Sequence, residues 1–318
     1  MPIRKETTRH HLRDIIHKER IQKAKERRIK RKQRKESGAP AGIPQTLESL
    51  RTVDETIVPK DDEEVVIEHE TDEFSSIFNG EITPKILLTH SDRVCPRTIG
   101  FCKELSMVIP NVQLVARWHL PLKKIIPMAI ERQFTCLIIV NEDQKKINTL
   151  VVSHLPNGPT ATFRLTNVLL RREMRSAKKV KYIESNVIPH LITTRFMTRL
   201  GLRTERILSS LFPNESRLPP QPHSRTIVFH NQRDYIFFRH YRYIHRNTTN
   251  AHNDDDDDDE NKNEGKHNTE NITMNEVGPK FTLKLRSIQL GTFDSQYGNY
   301  EWVRKRTEIG RSRRTFVL

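Results

Sequence analysis

Residues 84–111 read PKILLTHSDRVCPRTIGFCKELSMVIPN, and residues 189–214 read PHLITTRFMTRLGLRTERILSSLFPN. The second stretch restates the first. Both open on proline and an apolar, strand-like run ending in threonine, and both pass into a helix. Both close on Leu-Ser-x-x-x-Pro-Asn, at Leu105 to Asn111 and at Leu208 to Asn214. Helical spacing puts Ile99, Cys102, Leu105 and Ile109 on one face of the first helix. The second offers Ile207, Leu208, Leu211 and Phe212. Pro110 and Pro213 then stop the two helices.

The correspondence continues downstream. Thr135 to Asn141 (TCLIIVN) matches Arg225 to Asn231 (RTIVFHN); each run is rich in β-branched residues, and a charged turn and a further strand follow. Gly158-Pro159 precedes the strand at Thr162–Leu165, and Gly278-Pro279 precedes Leu283–Leu285, a turn signal at the same point of each copy. One element has no partner. The helix predicted over Leu122–Gln133, with apolar Leu122, Ile125, Ile126, Ala129 and Ile130, finds no room between Asn214 and Arg225. The pattern predicts two duplicated α/β halves, 82–170 and 187–294, each a small mixed sheet carrying helices.

Charge is distributed in blocks. The formal charge of +15 conceals a basic arm at 1–36 (+10), an acidic stretch at 47–81 (−10), a body at 82–249 (+17), a second acidic block at 250–276 (−8) and a basic end at 277–318 (+6). A body and arm of that sign attract polyanions. Between Lys18 and Lys35 the arm has eleven basic residues in eighteen, with too thin an apolar face for a helix to stand alone. It is expected to be disordered until it meets RNA or a partner, or to serve only as an import signal. Residues 37–81 are expected to be an acidic linker. The run Asp254–Asp259 marks an acidic disordered insertion over 249–275, because six adjacent like charges repel. It lacks the ligand spacing and turn glycine of a calcium loop. Residues 295–318 read as a basic C-terminal tail.

Several classes are set aside. No apolar run nears the ~18 residues of a membrane span, and the first residues lack a secretory core. Cys95, Cys102 and Cys136 form no CxxC pair, which argues against a zinc site or a disulfide framework. P-loop, GxSxG, HExxH and GxGxxG patterns are missing, so no enzyme, cofactor or metal is expected.

The binding candidates are basic and aromatic. In Lys280–Arg286 the alternation sends Phe281, Leu283 and Leu285 to one side and Lys280, Thr282, Lys284 and Arg286 to the other. Cations about 7 Å apart fit a phosphate track, though an ordinary solvated strand alternates in the same way. Arg233, Arg239 and Arg242 interleave with Phe229, Tyr235, Phe237, Phe238, Tyr241 and Tyr243, rings that either stack on bases or fill the core. His154 and Asn157, in HLPNGPT, mark a turn that faces RNA or simply packs.

Together PKILLTHSDR, FCKELSMVIPN, VVSHLPNGPTATFRL, TIVFHNQRDYIFFRHYRY and GPKFTLKLRSIQLGTFD resemble the Brix-domain family from about Ile82 to the end of the chain. The resemblance implies a duplicated α/β fold, a Brix domain over 82–294 whose halves are similar to the anticodon-binding domain of some aminoacyl-tRNA synthetases. It implies a non-enzymatic assembly factor of the nucleus and nucleolus. Such a factor binds precursor ribosomal RNA of the large subunit, pre-ribosomal proteins and a small dedicated partner protein, with no membrane. The family's RNA-binding segment matches Val277 to Phe293. The alternative is a protein-interaction scaffold whose RNA contact comes mainly from the basic arm.

Overall fold

The computed structural model describes residues 3–37, 44–52, 56–59, 62–177, 187–219, 224–247, 270–294, 298–305 and 315–318. The chain divides into two units, Met1–Arg51 and Thr52–Leu318. The first holds α1 (Ile3–Glu36), 34 residues of continuous helix where the sequence predicts a disordered arm. Local terms account for the difference. Lys, Arg, Glu, Gln and Ala are strong helix formers, no proline or glycine intervenes, and Glu19/Lys23 and Glu26/Lys30 stand at the favourable i, i+4 spacing.

The second unit runs α2 (Glu63–Thr71), α3 (Ser75–Phe78), β1 (Ile86–His90), α4 (Pro96–Val108), β2 (Val112–Leu114), α5 (Leu122–Glu131), β3 (Cys136–Asp143), β4 (Lys146–His154) and β5 (Thr160–Leu169). It continues through β6 (His190–Thr194), α6 (Arg199–Ser209), β7 (Arg225–Gln232), β8 (Tyr235–Asn247), β9 (Glu270–Glu276), β10 (Lys280–Gln289) and β11 (Tyr300–Val303). One sheet takes the order β2-β1-β3-β4-β5-β10-β8-β7-β6, with β11 added on β10 and β9 on β8. The plan is the same from either side of the centre. β1 is parallel to β3, which leads antiparallel to β4 and β5; β6 is parallel to β7, which leads antiparallel to β8 and on to β10. The halves join through the antiparallel pair β5–β10.

One face of the sheet carries α4 and α6. Phe101, Cys102, Leu105 and Val108 from α4 and Ile207 and Leu208 from α6 pack on Ile138, Phe163, Ile227 and Leu283 in a single cluster spanning both halves. Aromatic rings link the halves: Phe101 meets Phe281 at 5.4 Å, Phe281 stacks on Phe238 at 4.3 Å, and Phe238 meets Phe229 at 5.2 Å. The opposite face is covered in the first half by α5, which continues through Pro127. Its Ile125 and Ala129 bury Leu87, Leu137, Ile139 and Val151. This explains why β3 is apolar at consecutive positions: both its faces are inside.

Three expectations about boundaries are corrected. The acidic segment 37–81 does not remain a linker after Asp62. Phe74 is wholly buried in the main cluster, Val65 and Ile77 are buried too, and the acids pair with arginines of α6. Asp72 receives two hydrogen bonds from Arg206, Glu73 lies 3.0 Å from Arg203, and Glu64 pairs with Arg199. The Phe78 ring sits between the guanidinium groups of Arg206 and Arg217, 4.0 and 3.9 Å away. Of the expected insertion 249–275, residues 249–269 lie outside the described residues, whereas Glu270–Glu276 is strand β9 on the distal part of β8. The expected tail 295–318 supplies β11, and its last residues return to the fold. Asp234 accepts from the backbone N–H groups of Val317 and Leu318 at 2.7 and 3.0 Å, and Leu318 is buried.

His240 lies on the helix-covered side, and burial pushes its pKa down to about 4 even though Nδ1 bonds the Gly278 carbonyl oxygen at 2.7 Å. It is therefore neutral in the fold. The unfolded chain takes up the proton below about 6.5, so this contribution to stability is present above that pH and is lost as the pH falls toward 4. Denaturant titrations should show a loss of up to about 3 kcal/mol over that window. His240→Gln should flatten the acid limb; an unchanged limb would show that His240 does not govern it.

Candidate nucleic-acid interface

The missing partner of α5 decides the second half. Within Thr52–Leu318, among the described residues, no helix covers the face of β5, β10, β8, β7 and β6 that points away from α4 and α6. Where β3 presents Leu137 and Ile139 to α5, β7 presents Thr226, Val228 and His230.

Strand register arranges this open face as rows. Arg164 on β5 faces Lys284 on β10, which adjoins Tyr235 on β8. One pleat along, Thr166, Thr282, Phe237, His230 and Thr194 line up across five strands. The next row pairs Lys280 with Arg239, followed by Val228 and Ile192. Rows two residues apart lie about 7 Å from each other.

Contacts hold these groups in place. The Lys284 ammonium sits 4.3 Å from the Tyr235 ring centre and donates to its hydroxyl at 3.1 Å. Arg239 donates to the carbonyl oxygens of Phe238 (2.7 Å) and Phe281 (3.3 Å), and its guanidinium lies 5.5 Å from the Phe237 ring. Glu276, brought in by β9, lies 3.5 Å from Arg239 and 3.4 Å from Lys280. Burial and the Glu276 charge both raise the Tyr241 pKa, so its hydroxyl stays protonated. The face thus presents Arg164, Arg239, Lys280, Lys284 and Arg286, of which Arg239 and Lys280 flank the Glu276 carboxylate.

Not every predicted residue joins it. Lys280, Lys284 and Arg239 do, and Arg286 is exposed at the bulge where β10 takes β11 as its neighbour. Thr282 faces the same way but is only 2% exposed. Its short side chain lies on a strand flanked on both sides, so the outward row of part-exposed groups is interrupted there. Arg233 is exposed in the β7–β8 turn. Arg242 pairs with the buried Arg225 on the helix-covered side, away from the open face. His154 also faces that side. Its ring meets Phe74 edge-on at 4.9 Å, and burial lowers its pKa. Asn157 is exposed in the β4–β5 turn. Of the aromatics, Phe229 and Phe238 are core, while Tyr235 and Phe237 lie on the open face.

Sequence reasoning passed over Arg164 and Glu276. Arg164 counts only because β5 and β10 are neighbours at the junction of the halves. Glu276 belongs to a strand hidden at the end of an acidic block.

Burial pushes the thiols of Cys102 and Cys136 up to about 12, so both stay protonated. Among the described residues no cluster of His, Cys, Asp or Glu is placed to hold a metal, and no helix is long and apolar enough to cross a membrane.

These features define a two-lobed α/β module built on one sheet, helix-covered on one side and partly open and cationic on the other. The Brix domain matches residues 92–287, and the chain belongs to the Brix-domain family. Ribosome production factor 1 of Pongo abelii is 45% identical over 302 residues, covering 95% of this chain and 78% of its own. Ribosome production factor 1 of Danio rerio is 46% identical over 280 residues, covering 88% and 76%. Probable ribosome production factor 1 of Drosophila melanogaster is 40% identical over 303 residues, covering 93% and 70%.

Proposed function

We propose that this chain is a non-enzymatic, RNA-binding assembly factor of the large ribosomal subunit, acting on precursor ribosomal RNA in the nucleus and nucleolus. The observation that carries the reading is the helix-free basic face of β5, β10 and β8, in a chain similar to proteins named ribosome production factor 1. It acts through binding energy. Cations on a rigid sheet neutralise phosphates and release counterions, which fixes the path of an RNA segment that would otherwise sample many. Pre-ribosomal proteins, among them a small dedicated partner, would occupy other surfaces.

The full chain should bind precursor RNA with an affinity that falls steeply with salt. About six engaged phosphates correspond to a log–log slope of about −4 to −5. A slope near zero would sink the mechanism.

A second reading has its own observation, the basic helix α1 in a separate unit. On that reading the arm holds the RNA and the sheet docks protein. Deleting residues 1–36 separates the two. Retention of most of the affinity assigns RNA to the sheet, and loss of nearly all of it assigns RNA to the arm.

A further inference from the structure

We infer that the open face takes unpaired rather than duplex RNA, with bases stacked on Phe237 and Tyr235 and phosphates on the cations to either side. The inference rests on the RNA-binding reading above and names the form of RNA that this face selects.

The argument begins with the placement of two rings. Phe237 and Tyr235 sit two residues apart on β8, on the side that no described helix of Thr52–Leu318 covers; Tyr235 is 40% exposed and Phe237 part-exposed. Neither ring belongs to the core cluster of the described residues, which draws on Phe229, Phe238 and Phe281 on the other side. Their separation of about 7 Å along the strand is close to the step between nucleotides in an extended single strand. Cations lie on both flanks, with Lys284 and Arg164 in the Tyr235 row and Lys280 and Arg239 in the row beyond Phe237. A strand laid along β8 would therefore meet two rings spaced for successive bases, each with a cation over one face, and further positive charge alongside for its backbone.

The surroundings of Phe237 add polar contacts. His230, bonded to Thr194 at 2.7 Å, stands beside it with ring centres 6.5 Å apart, and Thr166 lies part-exposed in the same row. Hydroxyl and imidazole groups beside a ring suit the donors and acceptors on a base edge, which a duplex keeps paired internally. The platform is also pre-organised. Arg239 is fixed by two carbonyl oxygens, and Lys284 by the Tyr235 ring and hydroxyl. Duplex RNA offers stacked bases with no free faces, so the rings would gain nothing from it. The cations alone would bind both forms.

The test uses the full chain and an RNA of about twelve nucleotides carrying 2-aminopurine, presented as a single strand or annealed to its complement. Binding should quench 2-aminopurine in the single strand, and the wild-type chain should favour that form. Phe237→Ala and Tyr235→Ala should each weaken single-strand binding about ten-fold and reduce the quench, leaving duplex binding within about two-fold. Phe237→Leu keeps apolar volume without a π face; it should fold normally and lose as much affinity as the alanine variant. Equal losses on both forms, or a duplex bound as tightly as the single strand, would overturn the inference. If Lys280→Ala and Lys284→Ala weaken binding while the ring variants do not, stacking fails and the RNA-binding face stands. If none of these changes matters, the RNA reading of the face fails with it, and the surface belongs to a protein partner.

Discussion

Phe74→Ala should lower the stability of the Thr52–Leu318 unit by about 3–5 kcal/mol and its melting temperature by roughly 10 °C. Phe74 lies in the stretch whose charge reads as a solvated linker, yet it is wholly buried in the main core. Its ring meets His154 edge-on at 4.9 Å and lies under the Arg203 guanidinium at 5.5 Å. Truncation would leave a cavity between the apolar core and the Arg203 guanidinium. The nearby Asp72–Arg206 pair, nearly buried on both sides, would then be exposed to water or left poorly packed. Thermal unfolding followed by circular dichroism measures the effect. A change below about 1 kcal/mol would mean that the segment is dispensable to the fold.

Replacing Lys280, Lys284 and Arg286 together with alanine should weaken binding to precursor RNA roughly thirty-fold at moderate salt and make the salt slope shallower by about two to three. The three sit along β10 on the open side. Removing Lys280 leaves Glu276 with its other partner, Arg239, at 3.5 Å, so no buried carboxylate is stranded. Exposed and part-exposed ion pairs are worth little to the fold, and the melting temperature should barely move. Titrations at several salt concentrations, with the melting curve as control, would measure both effects. An unchanged slope in a folded protein would remove β10 from the RNA site.

Much of the fold was legible because its signals are local. Helix α4 buries the predicted Cys102 and Leu105 and α6 the predicted Ile207 and Leu208, with Ile109, Leu211 and Phe212 buried just past the helix ends, while Ile99 is only part-buried. The extra helix of the first half appears as α5, and the strands at Cys136 and Arg225 fall where the β-branched runs place them. In 62–78 the net charge outweighs six apolar side chains, of which Val65, Phe74 and Ile77 are buried. An acidic stretch reads as solvated unless one knows that arginines of α6 lie 130 or more residues away in the chain, ready to receive it. His154 and Arg242 were drawn toward the RNA surface by their polar character, although strand alternation turns both to the helix-covered side.

Alternation and periodicity are properties of neighbouring residues, so the chain alone specified the strands and helices between Pro84 and Leu285 that carry a clear apolar pattern, and the outward direction of Lys280 and Lys284. The make-up of the open face depended on which strands became neighbours. Pairing β5 with β10 set Arg164 beside Lys284, β9 delivered Glu276 to Arg239 and Lys280, and no second α5 among the described residues covers Phe237 and Tyr235. Those juxtapositions arise from burial and register summed over the whole sheet, a balance that no short window of residues contains.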